Sequence, residues 1–153
     1  WEHRWTQAQE AIAVMKELWT NDEAEFHGRY YDFPPVKSYP KPVQKPHPPI
    51  LLGSTARNVF KRIVAWGDGW LPGAVTPRQV EEGRATIDAL AIEAGRDPSS
   101  ITISVYHQPA DVNLIRSFHD VGADRVVVAR TATVNTEEEI GIDLERISES
   151  VLR

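Results

Sequence analysis

The run Gly53-Ser54-Thr55-Ala56-Arg57 has the residue types of an anion site. It reads as the end of a strand feeding a turn at a helix N-terminus. The first backbone N–H groups of a helix lack internal partners, and the macrodipole adds partial positive charge there. A phosphate group could be held by those N–H groups and by the Ser54 or Thr55 hydroxyl, with Arg57 as countercharge. The same string also makes an ordinary capped turn, and the residues alone leave both readings open.

Other reactive side chains are fewer. His107 and Arg130 each end a strand-like run. The first could donate a proton or touch a cofactor, and the second could pair with a carboxylate or phosphate. Most such residues at strand ends are merely solvated. His3, His27, His47 and His119 show no ligand spacing, so no metal site is expected. Glu137-Glu138-Glu139 suits the first turn of a helix and is read as structural. No candidate catalytic residue stands out. The absence of cysteine excludes disulfides and thiolate chemistry and fits a cytoplasmic setting.

These residues need a scaffold. The chain has 153 residues, 41% hydrophobic and 25% charged, with net charge -5. That is the size and composition of a single α/β domain, and no basic run suggests nucleic acid or an anionic membrane surface. No stretch has the length of a membrane span or the form of a signal peptide. The chain starts at Trp1 and runs directly into a helix, which suggests that residues once preceded it.

The spacing of Trp5, Ala8, Ile12, Met15 and Trp19 predicts a helix over about 2–19 with that stripe buried. Residues 21–49 read as a proline-rich insertion loop. Seven of the eleven prolines fall between Pro34 and Pro49, which excludes helix and central strand there. From residue 50 the chain reads as four strand–helix units. Strands are expected at Ile50–Leu52, Gly69–Leu71, Ile101–Tyr106 and Arg125–Ala129. The following helices carry clear start and stop signals. A capping box with proline at the first helical position starts at Thr76, Asp111 caps the next helix, and a second box joins Thr136 to Glu139. Gly67, Gly95 and Gly122 are the expected stops.

Four strands buried on both faces imply a parallel sheet covered by helices. A doubly wound open sheet and part of a (β/α)8 barrel both satisfy this. Four units behind a leading helix favour the half-barrel, because a full barrel takes eight units in about 250 residues. Asp68, just before a strand, then lies on the face where structural roles dominate. Gly69 is a close-packing position, Trp70 and Leu71 enter the core, and Pro72, Gly73 and Ala74 border the opposite, active face.

Six segments, in order, resemble one family. They are Arg4, Glu10 and Leu18-Trp19; Phe26-His27-Gly28-Arg29-Tyr30-Tyr31; the run PKPVQKPHPPILLG; Asp68-Gly69-Trp70; GRDPSSITISV; and VGADRVVVA. Together they resemble the bacterial luciferase-like monooxygenases, and specifically the C-terminal half. The resemblance implies a (β/α)8 barrel that binds FMN or the deazaflavin coenzyme F-420 at its C-terminal face and acts on a small molecule. It implies cofactor-phosphate binding at Gly53, Ser54, Thr55, Ala56 and Arg57, although the family often has a second glycine where Ser54 stands. The family's first four strands have no counterpart here. The implied partner is therefore a missing N-terminal half-barrel or another copy of the chain. The alternative is a non-catalytic half-barrel that self-associates.

Overall fold

The computed structural model describes residues 2–56, 58–130 and 136–151. Two compact units divide at Pro49 and Ile50.

The first unit opens with helix α1 (Arg4–Thr20). It packs on a two-stranded antiparallel hairpin, β1 (Ala24–His27) and β2 (Asp32–Val36). The hairpin occupies the first half of the segment expected to be loop. Its second strand contains Pro34 and Pro35, which a strand with one unpaired edge tolerates. Glu10 explains how the turn is held. Its Oε1 accepts the Tyr30 and Tyr31 N–H groups at 2.7 and 2.8 Å. A Cβ at Gly28 would collide with that carboxylate, so a side chain there would push Glu10 from its place. Lys41 closes the other end of α1, where its Nζ donates to the carbonyls of Leu18 and Asn21. The expected stripe on α1 is only partly covered. Val14 is the buried residue, whereas Trp5 and Met15 are more than a third exposed. Periodicity marks an apolar face, but a narrow hairpin covers only part of it.

The second unit holds the four strand–helix units: β3 (Leu51–Gly53) with α2 (Val59–Trp66), β4 (Gly69–Leu71) with α3 (Pro77–Glu93), β5 (Thr102–Gln108) with α4 (Val112–Asp120), and β6 (Arg125–Val128) with α5 (Glu137–Val151). All strand pairs are parallel, in the order β3-β4-β5-β6. Each strand lies beside the next in sequence, as in a barrel wall rather than a doubly wound sheet. The core fills the space between sheet and helices. Ile63, Trp70, Val80, Ile87, Ile103, Val105 and Phe118 are all essentially inaccessible, each contributing roughly 1.5–3 kcal/mol by burial.

The expected caps are present. Thr76 and Gln79 form the reciprocal box, with Pro77 first in the helix. Asp111 accepts the Asn113 and Leu114 N–H groups, and Thr136 and Glu139 bond reciprocally. Gly95 and Gly122 take left-handed backbone. Gly67 differs, because it ends α2 in extended backbone. Packing requires glycine there, since a Cβ would lie 2.5 Å from Leu52 Cδ1. The carbonyls at that helix end are collected by Arg96, whose Nη1 donates to Ile63, Val64 and Gly67 at 2.8–3.1 Å.

Asp68 has the structural role expected. Its Oδ2 accepts the Ile50 N–H at 2.7 Å. Asp124 repeats the device two strands on, accepting the Ile103 N–H at 2.7 Å. Each fixes the N-terminal end of a neighbouring strand. At Gly69 a Cβ would sit 2.6 Å from both Leu51 Cδ2 and the Thr102 carbonyl, so close packing excludes any side chain.

Candidate active face

The C-terminal strand ends gather the candidate residues. β3 stops at Gly53, and Ser54 follows with φ +97°. Its Oγ accepts the Ala56 N–H at 3.0 Å, closing a small turn. Its carbonyl accepts the indole Nε1–H of Trp70 at 2.8 Å. Helix α2 therefore begins only at Val59, beyond the run read as its N-terminus, because Ser54 bends the chain into a turn of its own first. Ser54 to Ala56 form a loop between β3 and the helix rather than the helix's first turn. Thr55 in that loop is exposed. Arg57, the expected countercharge, lies outside the described residues.

Beneath the loop is a cavity of about 260 Å³, lined by Thr55, Trp70, Gln79 and Glu82 among others. It lies beside the starts of α2 and α3. A larger open groove of about 750 Å³ runs between α2 and α3, past Lys61, Ala85 and Ala89. That groove is on the helix layer, away from the strand ends, with Asn58, Lys61 and Thr86 as its polar lining.

Trp70 is buried, but it faces the helices. Its ring meets Phe60 edge-on at 4.9 Å, and a Cβ on Gly83 would collide with it. Trp70 thus packs the sheet–helix layer and braces the Ser54 loop from below. Sequence reading missed this link. A buried indole N–H usually finds an acceptor, and that was the available signal, although it does not say which carbonyl.

Further along the same edge, Ala74 follows β4 with φ +51°, and His107 sits in β5 with φ +62°. Tyr106 and Gln108 pair with consecutive residues Val127 and Val128, so His107 is the extra residue of a β-bulge. Arg130 is exposed just beyond β6. The structure thus puts Ser54, Pro72, Gly73, Ala74, His107 and Arg130 at the C-terminal ends of adjacent strands. Asp68 lies at the other end. On the sheet face away from the helices, Tyr106 and its register partner Val127 are 51% and 38% exposed.

Among the described residues no group of acidic, histidine or cysteine side chains could hold a metal ion. No helix there is long and apolar enough to cross a membrane.

Comparison with known proteins agrees with this geometry. The family model described as luciferase-like monooxygenase matches residues 1–110. An uncharacterized protein of Mycobacterium tuberculosis is 38% identical over 112 residues, which take in 69% of this chain and 38% of that protein. The FMNH2-dependent dimethylsulfone monooxygenase of Pseudomonas putida is 30% identical over 107 residues, 68% of this chain and 28% of that one. The chain thus spans well under half the length of these curated relatives. Among solved structures, an F420-dependent secondary alcohol dehydrogenase superposes with a TM-score of 0.72 at 17% identity, over 98% of this chain and 62% of that one. The fold, a parallel sheet of four strands with helices, is that of part of a (β/α)8 barrel. The chain belongs to the luciferase-like monooxygenase family.

Proposed function

We propose that this chain is the C-terminal half of a flavin- or deazaflavin-dependent oxidoreductase, and that Gly53, Ser54, Thr55, Ala56 and Arg57 hold the cofactor phosphate. The loop from Gly53 to Ala56 at the C-terminal end of a parallel strand carries this reading. Gly53 is not demanded by internal packing, since an added Cβ would meet only the Leu71 carbonyl, at an ordinary 3.5 Å. A missing side chain there leaves room for close approach from outside. The Ser54 hydroxyl accepts one N–H and keeps its own proton to donate. These features fit a phosphate oxygen.

Relatives use FMNH2 or F420, so the cofactor is assigned to that pair, with a small organic molecule as substrate and the cytoplasm as location. When bound, such a cofactor supplies hydride transfer or oxygen activation. This chain's own residues would grip its phosphate and border its ring. The test is calorimetric titration with inorganic phosphate. Binding to the wild-type chain, abolished by Ser54→Asp, supports the site. Equal affinity for both proteins removes it.

The exposed Tyr106 and Val127 favour a second reading, a self-associating half-barrel with no activity of its own. The same face would serve an N-terminal half-barrel. Sedimentation across micromolar concentrations tests the self-associating reading, which a lone soluble monomer would exclude.

A further inference from the structure

Three successive strand ends carry a non-glycine residue in left-handed backbone: Ser54, Ala74 and His107. Residues held this way are uncommon, and they gather where a ligand site fixes the backbone. They follow or end β3, β4 and β5, which are neighbours in the sheet. With strands about 4.8 Å apart, β3 and β5 lie about 10 Å from one another.

At His107 the distortion re-aims a side chain. Consecutive residues of a regular strand point to opposite faces. Here the bulge sets the imidazole 5.6 Å from the Tyr106 ring, tilted by 41°, which opposite faces would not allow. Bulges are common beside active sites for this reason. Tyr106 is half exposed, and its N–H is anchored to the Pro72 carbonyl at 2.8 Å. Gly73 lies beside the phenol, where a Cβ would approach Cδ1 to 3.4 Å. The result is an open aromatic wall with an imidazole at its rim, two strands from the Ser54 loop.

We propose that Tyr106 and His107 contact the planar conjugated ring of the cofactor whose phosphate is assigned to the Gly53–Ala56 loop. The identity of the ring rests on that functional reading, but the residues are different, so each can fail alone. The exposed phenol offers a π-face for offset stacking, and the imidazole offers one donor and one acceptor to ring carbonyl and nitrogen atoms.

The test uses the 153-residue chain with three probes: riboflavin, its 5-deaza analogue and inorganic phosphate. Ligand fluorescence follows the first two and calorimetry the third. The expected result is that riboflavin or its analogue binds the wild type and loses at least fivefold in affinity with His107→Gly or Tyr106→Ala. Tyr106→Phe should retain it, and phosphate affinity should not change. His107→Gly relieves the left-handed backbone, so its thermal midpoint should rise while ring binding falls, which rules out misfolding as the cause. Ser54→Asp should abolish phosphate binding and spare the ring probes. Failure of that arm alone overturns the phosphate loop and leaves the aromatic wall standing. Ring probes that fail to bind the wild type, or that bind the His107 and Tyr106 variants equally well, overturn the proposal.

Discussion

The indole N–H of Trp70 donates to the carbonyl oxygen of Ser54 at 2.8 Å, so a core residue of one strand holds the loop that ends its neighbour. The indole is clamped by Phe60 at the edge and by the missing side chain of Gly83. Ser54 is therefore positioned from inside the protein, and its left-handed backbone is held by packing rather than by its own preference.

That link predicts the behaviour of Trp70→Phe. The change keeps an aromatic ring in the core but removes the donor and some volume. Loss of a hydrogen bond to a partly buried carbonyl costs about 1–3 kcal/mol, and the smaller ring adds to it. Denaturant unfolding should show a loss in that range, and phosphate affinity at the loop should fall as well. Unchanged phosphate affinity in a destabilised but folded variant would show that the loop is held by other contacts.

The strand–helix alternation, the capping boxes and the roles of Asp68 and Gly69 were legible in the residues, because each rests on local chemistry. The start of α2 was not. Nothing in Gly-Ser-Thr-Ala announces that Ser54 will bond the Ala56 N–H and delay the helix. The hairpin at Ala24–Val36 was hidden by its prolines, and its stability depends on Glu10, about twenty residues away. Arg96 caps a helix through contacts some thirty residues distant. Position along the chain does not reveal such partnerships. For the candidate site, the pattern located the loop after β3, but the aromatic wall at Tyr106 and His107 depends on a bulge that has no sequence signature.

Glu10 makes a prediction about pH. Desolvation acts to raise its pKa, but the N–H groups of Tyr31, Tyr30 and Arg29, together with the Arg29 charge, outweigh it and hold the carboxyl below its ordinary 4.5. A depressed folded-state pKa means that the stabilisation is fully present above the unfolded value and is lost as pH falls through the folded one. The Tyr30 and Tyr31 amide resonances should therefore titrate together, with a midpoint below 4.5. Glu10→Gln should abolish that transition. A midpoint at or above the ordinary value would mean that the carboxylate does not hold the turn in solution.

The last prediction concerns turnover. Gripping a phosphate binds ground state and transition state alike, and uniform binding of a remote group does not lower a chemical barrier. Catalysis also needs the ring held in attack geometry, which can supply about 7–11 kcal/mol. Four parallel strands offer one wall for that purpose, and their face toward Tyr106 and Val127 is open. Water reaches a ring lying on such a face, which weakens every electrostatic contact to it. Residues 1–153 by themselves should therefore bind FMN or F420 weakly and show no appreciable oxidoreductase activity. Adding the N-terminal half-barrel of a luciferase-like relative in trans should tighten cofactor binding and bring activity with it, as the open face becomes enclosed. Steady-state assays with and without that partner decide the matter. Robust cofactor-dependent oxidation by the 153-residue chain alone would place the whole active site within these four strands.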